Sequence, residues 1–130
     1  MHFPYIFVRR YDEDGTIDNG CYSYVGRVSD DMQILNLGYG CLSKSTVQHE
    51  FLHALGFFHE QSRPDRDDHV EIVWENVQED MKHNYKTLLA RGFKWDDMGT
   101  PYDFNSIMHY QENDNQKMHQ NIFILKFKNV

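Results

Sequence analysis

The spacing of apolar residues predicts a chain that begins with short strands. Aromatic and β-branched residues fill positions 3–10, and a polar turn at 12–15 follows them. Two further strands are predicted, at 21–28 and at 32–37, and in the second of these apolar and polar residues alternate with one interruption. These patterns predict a β-rich first third of the chain.

The clearest helix signal covers residues 46–55. Ser45, with Gln48 three positions later, forms a capping-box pattern at its start. Gly56 stands where a helix end favours a residue in the left-handed conformation. Between them runs an apolar stripe at helical spacing, made of Val47, Phe51, Leu52, Ala54 and Leu55.

The second half of the chain gives weaker signals. A second helix is predicted from residue 76 to a stop at Gly92. The segment that starts at Gln111 is polar, and an apolar, β-prone stretch at 121–130 ends the chain.

Composition narrows the class of protein. The chain has 130 residues, which suffices for one domain, and its formal net charge of −7 argues against a nucleic-acid partner. No apolar run is long enough to cross a membrane. The run at 3–8 lacks the preceding basic residues and the cleavage site of a signal peptide. We therefore predict neither nucleic-acid binding nor a membrane span.

Three histidines and a glutamate between positions 49 and 59 carry the most specific chemistry. His49 and His53 lie four positions apart, so on a helix both imidazoles project from one face towards a single metal ion. Glu50 lies beside them, placed to contact a water molecule rather than the ion. Gly56 lets the chain leave the helix sharply, so that His59 can return as a third ligand. Three histidines leave one position of zinc open, which is typical of a catalytic site.

The alternative interpretation is a helix that carries histidines on its surface. A bare pair at this spacing would not decide between the two, whereas the full pattern on a capped helix favours a zinc site. The histidines without partners at ligand spacing are predicted to be surface residues: His2, His69, His83 and His119.

A second motif, S-I-M-H-Y, occupies positions 106–110. Alone it is weak, because a buried methionine is more often a residue that fills a gap in a core. Downstream of the zinc pattern, it resembles the Met-turn of the metzincin class of proteases. Within it, His109 is expected to have a structural, hydrogen-bonding role.

Together these motifs resemble the astacin family of zinc metalloendopeptidases, which includes hatching enzymes, meprins and tolloid-like proteinases. The resemblance covers residues 5–110 almost without a gap. It rests on His59-Glu60, on the run S-R-P-D-R-D-D, on the S-I-M-H-Y turn and on the strand C-Y-S-Y-V-G-R-V. It implies an α+β fold of the metzincin type, with a twisted β-sheet packed on the active-site helix.

Carried over by position, the resemblance implies the catalytic residues. His49, His53 and His59 would bind one zinc ion per chain. Glu50 would act as the general base, and the phenol of Tyr110 would bind zinc at rest and stabilise the transition state.

The resemblance also implies structural roles and partners. Met108 would form a hydrophobic floor beneath the metal, and Glu60 would be the buried acid that receives the N-terminal amine of a mature protein. Cys21 and Cys41 would form a disulfide. A protein or peptide substrate would lie extended along an exposed edge strand, taken to be residues 32–37. Because the family is secreted, an extracellular location is expected.

Some parts of the family pattern have no counterpart in this sequence. A signal peptide, a pro-segment and the first strand and helix of the usual catalytic domain are not recognised. Residues 1–110 are therefore interpreted as a partial peptidase domain, incomplete at both ends, and residues 111–130 as an atypical C-terminal tail. Without a processed N-terminus, Glu60 is expected to lose its ammonium partner and to be a buried, unpaired carboxylate.

Two functions remain as hypotheses. The first is a zinc-dependent endopeptidase that hydrolyses peptide bonds of protein substrates. The second is a catalytically silent zinc-binding fragment of such a protease, which acts by binding only. Both keep the three histidines and the metal, so turnover separates them and zinc content does not.

Overall fold

The computed structural model describes residues 3–111 and 121–126. These residues combine helix and sheet, which confirms the α+β class, and the chain divides into two compact units, Met1–Phe58 and His59–Val130. Parts of the predicted tail, residues 112–120 and 127–130, lie outside the described residues. Among the described residues, no helix combines the length and the apolar character that crossing a bilayer requires.

The first unit is built on a three-stranded sheet in the order β1–β3–β2. β1 (Tyr5–Arg9) runs parallel to β3 (Met32–Leu37), and β2 (Cys21–Ser23) pairs with the other side of β3 in the antiparallel direction. β3 is the most buried of the three strands. Its apolar residues therefore belong to the centre of the sheet.

The expectation that residues 32–37 form an exposed edge strand is wrong. Both sides of β3 are already hydrogen-bonded to neighbouring strands, so a peptide cannot pair with it. The polar residue Asn36 is fully buried because its side-chain amide donates to the Gly20 carbonyl at 2.7 Å. An alternating pattern indicates a half-exposed strand only when its polar side chains reach water, and Asn36 finds its partner inside the protein.

The helix α1 (Lys44–Ala54), which carries His49 and His53, begins earlier than predicted. Ser43 rather than Ser45 is the N-cap, because the Ser43 hydroxyl accepts a hydrogen bond from the Thr46 amide at 3.1 Å. After the helix, Gly56 adopts the left-handed conformation that the sequence predicts, with φ of +105°.

The buried face of α1 differs from the predicted apolar stripe. Phe51 and Leu55 are 38% and 72% exposed, whereas Glu50 and His53 are buried. The inward face therefore carries the polar residues of the histidine motif. α1 packs against β2 and β3, and the small core of this unit consists of Leu35, Leu37, Cys41 and Ala54, with Val47 packed against it.

The second unit has its own core. Two short 3-10 helices, Glu60–Ser62 and Arg66–Asp68, precede β4 (Val70–Ile72), which pairs in the antiparallel direction with β5 (Phe123–Leu125). The strand predicted within 121–130 is thus confirmed over its described part. The core of this unit contains Val70, Ile72, Val77, Tyr85, Tyr102, Ile122 and Phe123.

The second helix, predicted over residues 76–92, is wrong. Distant contacts take the backbone groups that an α-helix would use: the Leu88 amide donates to the Ser62 carbonyl at 2.8 Å, and the Tyr85 carbonyl accepts from the Arg66 guanidinium. The predicted stop at Gly92 is confirmed by its φ of +82°. In place of the α-helix stand the 3-10 helices Trp74–Asn76, Glu79–Tyr85 and Leu89–Arg91.

Candidate metal and catalytic centre

The structure brings together the three histidines that the sequence predicts as metal ligands. α1 supplies His49 and His53, and the chain reaches His59 after the turn at Gly56. One ligand nitrogen from each histidine lies within 4.8 Å of the other two. The rings of His49 and His53 are perpendicular, with centroids 4.6 Å apart.

A backbone contact selects the tautomer of His53. Its Nδ1 lies 2.8 Å from the Phe57 carbonyl oxygen, which can only accept, so Nδ1 carries the proton and Nε2 the lone pair. Burial lowers the pKa of the His53 imidazole, with the hydrogen bond to Phe57 acting in the opposite direction and the charge of His49 lowering the pKa further. The neutral form, which is the form that binds metals, is therefore favoured.

Glu50 is a buried carboxylate beside these ligands. Its side chain lies on the inward face of α1, the residue is 4% exposed, and its Oε2 atom has no hydrogen-bond partner among the described residues. Burial raises the pKa of the Glu50 carboxyl group, and the neighbouring His49 opposes that shift. An unpartnered buried carboxylate oxygen costs stability and therefore calls for an explanation, and a role in proton transfer is one such explanation.

This donor set fits zinc. Imidazole nitrogen is a preferred zinc ligand, with bonds of about 2 Å. Histidines that bind zinc usually donate their other ring N–H to a carbonyl or carboxylate, as His53 does to Phe57. The orphaned Glu50 oxygen next to the cluster agrees with a catalytic rather than a purely structural site.

The S-I-M-H-Y turn contacts the residues that begin the second unit. The Tyr110 ring packs on the ring of His59 with centroids 4.5 Å apart, and on Tyr85 with centroids 5.6 Å apart. Met108 is buried, and its carbonyl accepts the Glu60 amide at 2.9 Å. These contacts are compatible with the expected roles of Tyr110 and Met108, which stay predictions.

Glu60 has a charged partner, so the expectation that it lacks one is wrong. Its Oε1 accepts from Arg63 Nη1 at 3.1 Å and from the Asp103 amide at 2.9 Å. Arg63 lies three positions further along the chain, where the intervening 3-10 helix lets it reach back. Arg63 also bonds Asp65 and the carbonyls of Thr100 and Pro101. The proposed link from Glu60 to an N-terminal amine stays a prediction.

The predicted disulfide is present. Cys21, the first residue of β2, is bonded to Cys41, which lies in the loop before α1. The bond therefore ties a three-residue strand to the segment that leads into the histidine helix.

The sequence did not predict two of the residues that contact the S-I-M-H-Y turn. Gln61 Oε1 accepts the Tyr110 amide at 3.1 Å, and Tyr102 Oη lies 2.7 Å from His109 Nε2. Gln61 and Tyr110 are 49 positions apart, so no local sequence pattern predicts their contact. The expected hydrogen-bonding role of His109 is confirmed, since its Nδ1 also contacts the Tyr110 carbonyl at 2.7 Å.

The remaining histidines differ in how exposed they are. His83 is exposed as predicted. His69 is half-buried, because one face of its ring stacks on the ring of Tyr102 with centroids 4.7 Å apart, so it lies at the surface only in part. His2 and His119 lie outside the described residues.

The fold and the histidine cluster define the class of the chain as a mixed helix-and-sheet domain with a three-histidine cluster that can hold a metal ion. The model of the Astacin family, a family of peptidases, matches residues 10–129. The chain therefore belongs to the astacin family. The match continues through most of residues 111–130, and the division of the chain at residue 110 stays a prediction.

Known relatives agree with this assignment. The chain is 48% identical over 98 residues to zinc metalloproteinase nas-15 of Caenorhabditis elegans, a match that covers 72% of this chain and 16% of the relative. It is 48% identical over 94 residues to meprin A subunit beta of Mus musculus, covering 72% of this chain and 13% of the relative. The chain thus spans less than a fifth of the length of these two relatives.

A solved structure shows the same fold. High choriolytic enzyme 1, a hatching enzyme zinc-protease from Oryzias latipes, matches with a TM-score of 0.81 and 33% sequence identity. The match covers 96% of this chain and 57% of that chain. This similarity identifies the architecture as that of a metzincin.

Proposed function

We propose that this chain carries the catalytic centre of a zinc endopeptidase that hydrolyses peptide bonds of protein substrates. One observation carries the proposal: three histidine nitrogens lie within 4.8 Å of one another, beside a buried glutamate whose Oε2 has no hydrogen-bond partner among the described residues. Membership of the astacin family supports it, because the chain resembles proteins described as zinc metalloproteinases and zinc-proteases.

Each residue of the centre has a proposed role. His49, His53 and His59 hold one zinc ion, which when bound supplies Lewis acidity to the reacting water and carbonyl. Glu50 takes a proton from the attacking water and delivers it to the leaving amine. The hydroxyl of Tyr110 donates a hydrogen bond to the negatively charged oxygen of the transition state. The contact between the rings of Tyr110 and His59 supports this last role.

Two further residues support the centre in this proposal. Met108 is the hydrophobic floor, which agrees with its burial. Glu60 anchors the start of the second unit through Arg63 and the Asp103 amide, and an N-terminal amine would add to these partners.

The substrate is proposed to add to the sheet at β2 rather than at β3. Both β1 and β2 are edge strands of the described sheet. The chain that continues from β2 reaches the active-site helix, where the Gly26 amide donates to the His53 carbonyl at 2.8 Å. An extended peptide on the β2 side would therefore run past the histidine helix.

Backbone methylation of a peptide substrate tests this binding mode. Pairing with a strand uses the amides of alternate residues only. We expect N-methyl groups placed one at a time to raise KM at every second position, while kcat stays within about twofold. An equal effect at neighbouring positions would contradict strand addition.

An extracellular location is also proposed. The bond between Cys21 and Cys41 supports it, because disulfides form and persist in oxidising compartments.

Cleavage of an unfolded protein by the zinc-loaded, oxidised chain tests the function. Glu50→Gln keeps the size of the side chain and removes the base, so we expect kcat to fall at least about a thousandfold while zinc remains bound. Glu75→Gln, the same change at an exposed position, is the control and should retain activity.

Turnover by the zinc-loaded chain, and not zinc binding, separates the endopeptidase from the silent fragment. Under either hypothesis we expect wild type and His83→Ala to bind one equivalent of zinc and His49→Ala to lose it. This result would establish the metal site. Zinc bound without any cleavage that depends on Glu50 would overturn the endopeptidase proposal in favour of the silent zinc-binding fragment.

A further inference from the structure

Buried side chains hold the peptide groups on both sides of Tyr110. The Tyr110 amide donates to Gln61 Oε1 at 3.1 Å, and the Tyr110 carbonyl lies 2.7 Å from His109 Nδ1. Gln61 has no exposed surface and His109 is nearly buried. Side-chain hydrogen bonds made inside a protein hold geometry more firmly than those made in water.

Hydrogen bonds to its own backbone hold Gln61 in place. It lies in the 3-10 helix Glu60–Ser62, and its carbonyl accepts from Arg66 Nη1 at 2.9 Å. Arg66 is buried, and its guanidinium also bonds the Tyr85 carbonyl. The residue whose side chain accepts from the Tyr110 amide is therefore held in place by buried hydrogen bonds of its own backbone.

The same short segment meets Tyr110 at two points. Two residues before Gln61, the ring of His59 packs on the Tyr110 ring with centroids 4.5 Å apart. The second point is the hydrogen bond that the Tyr110 amide donates to Gln61 Oε1. The backbone contact thus sets where the phenol ring stands beside a proposed metal ligand.

We infer that Gln61 is a positioning residue for the reaction, whose amide oxygen fixes the main chain of Tyr110 so that its phenol is held ready for the transition state. This inference rests on the proposed function. Gln61 does not touch the reacting atoms and acts only through Tyr110. Small displacements of a catalytic group lower rates strongly, so the contact matters for kcat more than for binding.

A second anchor keeps the turn folded when Gln61 is changed. His109 Nδ1 must donate to the Tyr110 carbonyl, so in the neutral ring Nε2 accepts from the Tyr102 hydroxyl at 2.7 Å. Burial raises the pKa of the Tyr102 phenol, with the charge of Glu60 as the next cause, so the phenol stays a proton donor. Loss of the Gln61 contact therefore shifts Tyr110 without releasing it.

A double-mutant cycle with Tyr110→Phe tests the inference. Gln61→Met keeps the length of the side chain and removes the acceptor. We expect it to lower kcat about tenfold with KM within about twofold, and to cause no further loss in the Tyr110→Phe background. The same factor in both backgrounds, or no loss in either, would overturn the inference. If Gln61→Met does not fold, Gln61→Asn replaces it in the same cycle with the same criteria.

A second readout does not need the metal. In the zinc-free chain, we expect the Tyr110 amide to exchange its hydrogen at least about tenfold faster in Gln61→Met than in wild type. Gln78→Met, at an exposed position, is the matched control and should leave this rate unchanged. Unchanged exchange in Gln61→Met would contradict the contact itself.

The two proposals fail in different ways. A wild type that shows no cleavage dependent on Glu50 would remove the proposed function, and the positioning role would fall with it. Cleavage that depends on Glu50 and Tyr110 but not on Gln61 would remove only the positioning role.

Discussion

The Nδ1 atom of His53 and the carbonyl oxygen of Phe57 are 2.8 Å apart, joined across the turn that ends α1. The contact fixes the ring and leaves the lone pair on Nε2, the nitrogen that would bind the proposed metal. It exists because the chain reverses at Gly56, whose φ of +105° brings the Phe57 carbonyl back towards the helix. The proposed zinc ligand His53 is therefore oriented by the conformation of Gly56, which is not itself a proposed ligand.

Gly56→Ala is predicted to weaken zinc binding as well as stability. A side chain at positive φ costs about 1–2 kcal/mol, and an added Cβ at Gly56 would meet no atom closer than 4.0 Å, so conformation rather than a clash causes the loss. Relaxation of the turn would move the Phe57 carbonyl, and such changes around a ligand lower metal affinity by about tenfold or more. Zinc titration and urea unfolding measure the two effects.

Gly15→Ala is the matched control for this change. Gly15 also has positive φ, at +81°, and a Cβ there would meet no atom within 4 Å, but the residue lies in a turn outside the histidine segment. We expect a similar loss of stability with unchanged zinc affinity. Equal zinc affinity in both variants would show that the turn does not orient His53.

Arg63→Met is predicted to destabilise the second unit strongly. The side chains of Arg63 and Glu60 are only 10% and 16% exposed, and Arg63 also bonds Asp65 and two backbone carbonyls. Removal of one partner leaves a mostly buried carboxylate without its cation, which costs about 3 kcal/mol. Urea unfolding of the zinc-free chain measures the change.

The exposed ion pair of Arg27 and Asp30 provides the control. It has the same spacing of three residues, but the side chains are 62% and 98% exposed. Exposed pairs contribute about 0–1 kcal/mol, so Arg27→Met should change stability little. Similar losses in Arg27→Met and Arg63→Met would mean that burial does not set the value of the Arg63 contacts.

Local chemistry explains what the sequence predicts well. The pattern from His49 to His59 requires only a helix and a glycine turn, and both are properties of a few adjacent residues. The strand at Met32–Leu37 is confirmed as well, because its own residues are apolar enough to be buried. The disulfide is also confirmed, but its prediction came from the family resemblance and not from local chemistry.

Distant contacts explain what the sequence does not predict. In the sequence, the polar residue Asn36 indicates a strand with a solvent-facing side. In the structure its side-chain amide donates to the Gly20 carbonyl, so the sequence pattern does not reveal that β3 is the central strand. The segment at 76–92 has helical spacing, but Ser62 and Arg66 bond its backbone groups from outside. Gln61 looks like an ordinary polar residue because its partner, Tyr110, is 49 positions away.

Reduction of the disulfide is predicted to lower the free energy of unfolding by about 3 kcal/mol, the value expected for a closed loop of this size. The bond links residues separated by 20 positions. Urea unfolding of the metal-free chain, with and without a phosphine reductant, measures the loss. The double variant Cys21→Ser with Cys41→Ser is the control, and the reductant should not affect it. An unchanged midpoint for the oxidised and reduced wild type would contradict the prediction.

Asp65 is predicted to make stability sensitive to acid. The hydrogen bond from Arg63 is the main cause that lowers the pKa of the Asp65 carboxyl below its ordinary value, and the Arg63 charge lowers the pKa further. For a group whose pKa is lower in the folded state, the stabilisation is complete above the ordinary pKa, about 3.9, and is lost as pH falls through the folded value. Stability should therefore decline below about pH 5 as this carboxylate is protonated.

Asp65→Asn should remove that part of the acid dependence. The variant is expected to be less stable than wild type at pH 7 and to approach wild type as pH falls through the folded pKa of Asp65, because the negative charge that it lacks is then also lost in wild type. Urea unfolding of the metal-free chains between about pH 3 and pH 7 measures both curves, without competition from metal release by the histidines. Asp30→Asn, at a side chain that is 98% exposed, controls for the loss of one negative charge. A constant difference between Asp65→Asn and wild type across this range would show that the Arg63–Asp65 bond does not depend on the charge of the carboxylate.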